Sequence, residues 1–177
     1  PLGFLVKTLC DAKTGILLSM ELVEGKEFDR NKKHYKELGH TAAVMVRVTE
    51  PYHNTGRVVV GDAWFGSYKT AVALRQRGLY SVLNVKKAAA QYPKAALSAA
   101  MKARGCTKFM KVKTLDPAVP TVYAAAHMDK QPMFLVHTAG STAAGAPRRR
   151  NWAKFSGGKV VKRKYFLDQP HVHKIYR

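Results

Sequence analysis

The fold is decided by residues 57–85, which read RVVVGDAWFGSYKTAVALRQRGLYSVLNV. The β-branched run that ends at Asp62 predicts a short strand covered on both faces, and the apolar run from Leu79 predicts a second strand. Between them, Ser67 is a good N-cap for a helix, and Gly78 is a typical C-terminal glycine. A strand, a helix and a strand in this order predict an α/β fold in which helices pack on a sheet.

The residues before this unit predict a hairpin and one more helix. Apolar runs over residues 4–10 and 16–23 flank a polar turn, a pattern typical of a β-hairpin. Residues 24–39 are polar and mixed in charge, which predicts a loop. Over residues 41–49 the alternating valines also fit a strand, but a shared helical face favours a helix with Thr41 as its N-cap.

The residues after this unit are richer in short strands. A short helix is predicted over residues 93–104, and residues 140–158, rich in Gly, Ala and Ser, predict a mobile, positively charged loop. The change from an α/β pattern to mainly short strands predicts a subdomain boundary near residue 88. The predicted strands of this second part are 108–113, 121–127, 133–138 and 160–167.

The charge of the chain is large and uneven. It has 31 Lys and Arg against 11 Asp and Glu, a formal net charge of +20. Residues 1–62 contribute only +1, from nine basic and eight acidic side chains, and residues 63–177 contribute +19. Such an excess argues against a generic metabolic enzyme and predicts a polyanionic partner, with nucleic acid first.

Composition excludes several other classes of protein. No run of about eighteen uncharged apolar residues occurs, so the sequence predicts no membrane span. Two cysteines, Cys10 and Cys106, are too few for a disulfide scaffold or a zinc ribbon and favour a reducing, intracellular location. The chain starts at Pro1 without Met or a leader, which predicts an internal fragment or a processed product.

The sharpest chemical feature is a pair of aspartates at strand ends. Asp11 and Asp62 each follow an apolar strand and precede a turn. If the two strands are neighbours, both carboxylates lie at one rim of the sheet, where they can hold Mg²⁺ or Mn²⁺. Two such ions about 3.5–4 Å apart support phosphodiester chemistry. The alternative is that both aspartates are ordinary turn or cap residues.

The segments that contain these aspartates belong to an ordered series of motifs. Residues 9–15, LCDAKTG, are followed by Glu24-Gly25-Lys26 and then by residues 58–67, VVVGDAWFGS. The later members are Tyr92-Pro93-Lys94, Asp129-Lys130, Thr138-Ala139-Gly140-Ser141 and Gln169-Pro170-His171-Val172. Together they make nearly the whole chain resemble the piggyBac family of transposases and transposase-derived proteins.

The resemblance carries expectations about fold and site. It implies a ribonuclease-H-like mixed sheet with flanking helices, interrupted by a basic, β-rich insertion subdomain. Residues 1–88 would then be the first part of the core, 89–167 the insertion, and 168–177 the start of a truncated return. It further implies that Asp11 and Asp62 are the first two of three aspartates that hold Mg²⁺ or Mn²⁺ in a two-ion site. The third is expected beyond this chain.

The resemblance also carries expectations about partners and activity. It implies DNA as the partner, both as transposon ends and as target, together with a nuclear location and a homodimer in the parent protein. The second motif commonly has Asn and Thr where this chain has Ala63 and Gly66, which thins the polar support around Asp62. This departure argues against activity even in the full-length parent, and because the third aspartate is expected beyond this chain, we expect the fragment to be inactive in transposition.

Two other functions are compatible with the sequence. A domesticated DNA-binding or chromatin-associated protein would keep the basic surface and need neither aspartate. A ribosomal-type RNA-binding protein fits the charge, but the long apolar α/β half and the sparse aromatic display argue against it.

Two basic triplets are the best candidates for DNA contacts. One is Arg148, Arg149 and Arg150, and the other is Lys162, Arg163 and Lys164. Because both fall in the strongly basic part of the chain, we expect them to bind phosphates of the DNA backbone. Trp152 lies beside the first triplet, where it either stacks on a base or anchors the segment.

Overall fold

The computed structural model describes residues 3–86, 89, 92–112, 119–143, 145–156 and 159–176. The helices are α1 (Lys26–Asn31), α2 (Tyr35–Val48), α3 (Tyr68–Gln76), α4 (Lys94–Ala99) and α5 (His171–Tyr176), with a 3₁₀ turn at Glu50–Tyr52. The strands are β1 (Val6–Cys10), β2 (Leu17–Leu22), β3 (Val58–Gly61), β4 (Tyr80–Asn84), β5 (Thr107–Lys111), β6 (Tyr123–Met128), β7 (Pro132–His137), β8 (Arg148–Ser156) and β9 (Lys159–Leu167).

Five of these strands form one mixed sheet, in the order β3-β4-β7-β6-β5. β3 and β4 are parallel and are joined through α3, whereas β4, β7, β6 and β5 pair antiparallel. The Ser67 hydroxyl accepts a hydrogen bond from the amide of Thr70, and Gly78 follows the helix with a φ of 70°. The predicted α/β architecture and both predicted ends of α3 are therefore confirmed.

Helices cover both faces of this sheet. On one face, Val44 of α2 and Leu74 of α3 pack with Leu83 and Phe134 of the sheet in the largest buried cluster. On the other face, Val172 of α5 packs with β4, β6 and β7. Two-sided burial explains why three consecutive residues of β4, Ser81, Val82 and Leu83, are all buried.

Several predicted boundaries are wrong. Residues 24–39, predicted as a loop, contain α1 and the beginning of α2. Thr41 lies inside α2 and is not its N-cap; the interruption is at Gly39, whose φ of 74° kinks the helix. The predicted helix over residues 93–104 is shorter and ends at Ala99.

The predicted loop over residues 140–158 is also wrong over residues 148–156. Residues 148–156 form β8, which pairs along its whole length with β9 in a two-stranded antiparallel ribbon. The prediction followed the Gly, Ala and Ser content of the segment. That content is concentrated before Arg148 and does not extend through the strand.

The five-stranded sheet takes strands from both sides of the boundary predicted near residue 88. The division into residues 1–88, 89–167 and 168–177 stays a prediction. In the described part of the chain, no helix has the length and hydropathy that crossing a membrane requires.

Candidate functional site

Asp11 lies in the turn that closes the β1–β2 hairpin. Its Oδ1 accepts hydrogen bonds from the amide of Lys13 (3.1 Å) and from both the amide and the hydroxyl of Thr14 (2.7 Å each). The turn is completed by a hydrogen bond from the Asp11 amide to the Ile16 carbonyl (2.9 Å). Within the described residues, Oδ2 accepts no hydrogen bond, so one carboxylate oxygen is structural and the other is available.

These hydrogen bonds also affect the pKa of the Asp11 carboxyl group. The hydrogen bond from the Thr14 hydroxyl, followed by that from the Thr14 amide, lowers the pKa of Asp11 below its usual value. The stability contributed by such a bond is present above the ordinary carboxyl pKa and is lost as pH falls through the lowered one.

Thr14→Val is therefore expected to raise the pKa of Asp11 towards its usual value, because valine keeps the shape of threonine and removes the hydroxyl donor. An NMR titration of the Asp11 side-chain carboxyl carbon measures this directly. Thr8→Val, a solvent-exposed change in β1, is the matched control and should leave the titration of Asp11 unchanged. An unshifted midpoint in Thr14→Val would contradict the hydrogen-bonding account.

Asp62 has a similar local role at the end of β3. Its Oδ1 accepts a hydrogen bond from the amide of Trp64 (2.9 Å), and its carbonyl accepts one from the amide of Phe65 (3.1 Å). The residue is exposed, and in the described part of the chain its Oδ2 accepts nothing. Both predicted carboxylates thus follow a strand, as the sequence indicated, and each keeps one oxygen free.

The structure does not place β1 and β3 side by side in one sheet. Among the described strands β1 pairs only with β2, and β3 is an edge strand of the five-stranded sheet. A cavity of about 400 Å³ separates them, lined by Asp11 together with Val58 and Val60. The condition under which both aspartates share a rim is therefore not met by strand pairing.

Two further contacts define how the hairpin lies along β3. Asp11 lines the cavity with Arg57, which precedes β3, whereas the ammonium of Lys7 lies 3.8 Å from the ring centre of Trp64, which follows Asp62. Asp11 thus shares this cavity with residues of β3, whereas Asp62 follows β3 and is not among the residues that line the cavity.

The hairpin is held by ion pairs that sequence reasoning missed. Arg47 of α2 donates from Nε (2.8 Å) and from Nη2 (2.6 Å) to the carboxylate of Glu21 in β2, and both side chains are largely buried. The ammonium of Lys32 binds Asp29 (2.8 Å) and Glu24 (2.8 Å) and donates to the Leu22 carbonyl (2.7 Å). The residues are distant in sequence, so no local pattern signals the pairing of Glu21 with Arg47.

Other acidic residues do not complete a metal site. Among the described residues, no three His, Cys, Asp or Glu side chains are grouped as metal ligands. Asp129 is bound by Arg104, and Glu50 is paired with Lys33. A third ligand is not found among these residues.

The basic candidates are brought together on the β8–β9 ribbon. Arg148, Arg149 and Arg150 begin β8, and Lys162, Arg163 and Lys164 lie in the middle of β9. Trp152 is directly opposite Arg163 in the antiparallel register. Arg149 and Lys164 are exposed. The ribbon therefore concentrates both triplets in one element.

Comparison with known proteins assigns the chain to a family. A family model described as Transposase IS4 matches residues 1–177. The chain belongs to this transposase family. No curated protein matches the chain.

One solved structure is similar in fold to this IS4-family chain. It is the cryo-EM structure of a piggyBac transposase synaptic complex with hairpin DNA, with a TM-score of 0.61 and 16% sequence identity. The match covers 80% of this chain and 28% of that one, so the chain spans little more than a quarter of the length of that transposase. The resemblance to piggyBac transposases is confirmed, and at this identity the likeness concerns the fold.

Transposases of this family require a divalent metal ion in general. The free Oδ2 atoms of Asp11 and Asp62 are the hard oxygen donors that such an ion prefers. The donor chemistry fits, although the described residues supply two carboxylates and not three. The assignment of Asp11 and Asp62 as ligands stays a prediction.

Proposed function

We propose that this chain is part of the catalytic core of a piggyBac-like DNA transposase with a ribonuclease-H-like sheet and a basic insertion, and that on its own it does not catalyse transposition. The proposal is supported by the family match over the whole chain and by the shared fold. The matched transposase is described in complex with hairpin DNA, which favours DNA as the partner here too. A nuclear location and a homodimer in the parent are part of the same proposal.

Within this proposal, Asp11 and Asp62 would supply two of the metal-binding carboxylates. When bound, Mg²⁺ or Mn²⁺, in a two-ion site, would polarise the phosphate and the attacking oxygen. The protein's part is to fix two carboxylate oxygens, which the Asx-type turns after β1 and β3 do by engaging Oδ1 and leaving Oδ2 free. Joint ligation further requires the hairpin to bring Asp11 to the end of β3 that carries Asp62.

Such a rearrangement is physically reasonable because both strands have a free edge. β3 has no partner on its outer side among the described strands, and its Val58 and Val60 are 44% and 39% exposed. In the hairpin, Leu17 and Leu18 are 51% and 41% exposed. Closing the cavity between the two would remove apolar surface from water and pair the backbone of an edge strand.

The expected result for this chain alone is the absence of nicking of supercoiled plasmid in Mg²⁺ or Mn²⁺, because the described residues supply two metal-binding carboxylates and the third is expected outside the chain. Agarose-gel conversion of supercoiled to open circular plasmid measures it, with Asp11→Ala as the control protein. Metal-dependent nicking that vanishes in Asp11→Ala would contradict the expectation of inactivity.

A domesticated, non-catalytic DNA-binding protein is the second candidate. The observation that favours it is the position of Gly66, where any Cβ would lie 1.5 Å from the carbonyl oxygen of Asn84. The threonine commonly found there in the piggyBac family has no space in this conformation. Metal binding that requires both Asp11 and Asp62 separates the transposase from this alternative.

A further inference from the structure

The β8–β9 ribbon is strongly basic and makes few contacts with the other described helices and strands. It pairs nine residues of each strand, with Arg148 opposite Leu167 and Ser156 opposite Lys159. In the described part of the chain, neither strand packs extensively against another helix or strand. The two strands contain eight basic residues and no acidic residue. No two of these basic residues are directly opposite each other in the register, so the ribbon avoids repulsion between direct cross-strand partners.

The register divides these cations between the two faces. Residues directly opposite each other belong to one face, and residues two apart in a strand share it. Both faces contain basic residues. One face has Arg148, Arg150, Lys154, Lys159 and Arg163, and the other has Arg149, Lys162 and Lys164.

One end of the ribbon contacts the protein body, and the described side chains of Arg149, Val160, Lys164 and Phe166 are exposed. Leu167, at the paired end, is buried close to Gly105. Phe166 is 71% exposed and Val160 is 57% exposed, and both are on the face of Arg149 and Lys164.

Cations on both faces distinguish two ways of binding a duplex. A ribbon lying flat on DNA needs basic residues on one face only, since the other face looks away from the phosphates. A ribbon inside a groove has a phosphate wall on each side. We propose that the β8–β9 ribbon enters the major groove of B-form duplex DNA, with the two faces contacting opposite backbones, an inference that rests on DNA being the partner in the proposed function.

The dimensions of the ribbon and the groove agree. The major groove is about 12 Å wide and 8.5 Å deep and admits a two-stranded β-ribbon. Nine strand residues span about 30 Å, close to nine base pairs at about 3.4 Å each. Duplex RNA offers no equivalent site, because its A-form major groove is deep and too narrow for side chains to read.

Two matched triple variants test the involvement of both faces. R150Q/K154Q/R163Q removes three charges from one face, and R149Q/K162Q/K164Q removes three from the other. K26Q/K36Q/K102Q removes three exposed charges elsewhere and is the control for net charge. Each variant is titrated with a fluorescent 20-base-pair duplex at several salt concentrations, after circular dichroism has verified folding.

Each ribbon variant is expected to reduce the slope of log affinity against log salt by up to about 2.7 units, because each phosphate contact contributes about 0.9. The control should change the slope by much less. A loss confined to one ribbon variant would overturn the groove geometry in favour of a flat contact.

A probe of the groove itself completes the test. A duplex with glucosylated 5-hydroxymethylcytosine, which fills the major groove, should bind at least tenfold more weakly, and netropsin in the minor groove should have little effect. Duplex RNA of equal length should also bind more weakly. Undiminished binding to the glucosylated duplex would overturn this inference and leave DNA as the partner, whereas failure to bind any duplex DNA would overturn the proposed function as well.

Discussion

Gly66→Ala is expected to destabilise the protein by about 3 kcal/mol or more, at the upper end of what overpacking costs. A Cβ at this position would lie 1.5 Å from the carbonyl oxygen of Asn84, 2.5 Å from its carbonyl carbon and 3.0 Å from the Cα of Val85. All three are backbone atoms at the end of β4, so no side-chain rotation can relieve the contact. The turn between β3 and α3 must therefore move, and it carries Asp62.

Chemical denaturation followed by circular dichroism measures this effect. Gly3→Ala is the matched control, since nothing lies within 4 Å of its Cβ position and its change should be within about 0.5 kcal/mol. Gly66→Thr, which restores the residue common in the piggyBac family, should destabilise at least as much as alanine. A Gly66→Ala protein as stable as the parent would show that the close approach of this turn to β4 is wrong.

The local part of this fold could be predicted because its signals are local. The cap at Ser67, the glycine at Gly78 and the β-branched run before Asp62 each specify a boundary through neighbouring residues. For the same reason, sequence reasoning placed Asp11 and Asp62 correctly at the ends of strands. Gly39 was missed as a kink, since nothing in the flanking residues signals its positive φ.

The arrangement of the strands could not be predicted in the same way. β4 pairs with β7, with Leu83 opposite Val136, and about fifty residues separate them in sequence, so only the packed core selects this partner. The hairpin is attached to α2 by the pairing of Glu21 with Arg47, which are 26 residues apart in sequence. The motifs therefore could not predict how Asp11 and Asp62 are positioned relative to each other.

β8 was missed for a different physical reason. Strands are recognised when apolar and polar residues alternate, because one face is buried and the other is wet. In β8 both faces carry cations, and the alternation is absent. The cations that remove the alternation are the same ones that the proposed contact with the DNA groove uses.

Shared metal binding by Asp11 and Asp62 is the central claim of the proposed function, and its loss is the largest functional effect we expect. An ion held by both carboxylates needs each of them, so removing either one should abolish binding at both positions. Independent turn aspartates would behave differently, because each would attract ions weakly and without regard to the other. Because β1 and β3 are in different sheets in this conformation, a shared site requires the hairpin to move.

The most direct measurement is paramagnetic broadening by Mn²⁺ of the backbone amide signals in the full 177-residue chain. Asp11→Asn and Asp62→Asn are compared with Asp168→Asn, which removes the same charge from an exposed aspartate outside the site. We predict broadening of the amides of Lys13, Thr14 and Trp64 at one common Mn²⁺ concentration, lost at all three in either site variant and retained in Asp168→Asn. Broadening near Trp64 that persists in Asp11→Asn, or broadening near Thr14 that persists in Asp62→Asn, would contradict a shared site.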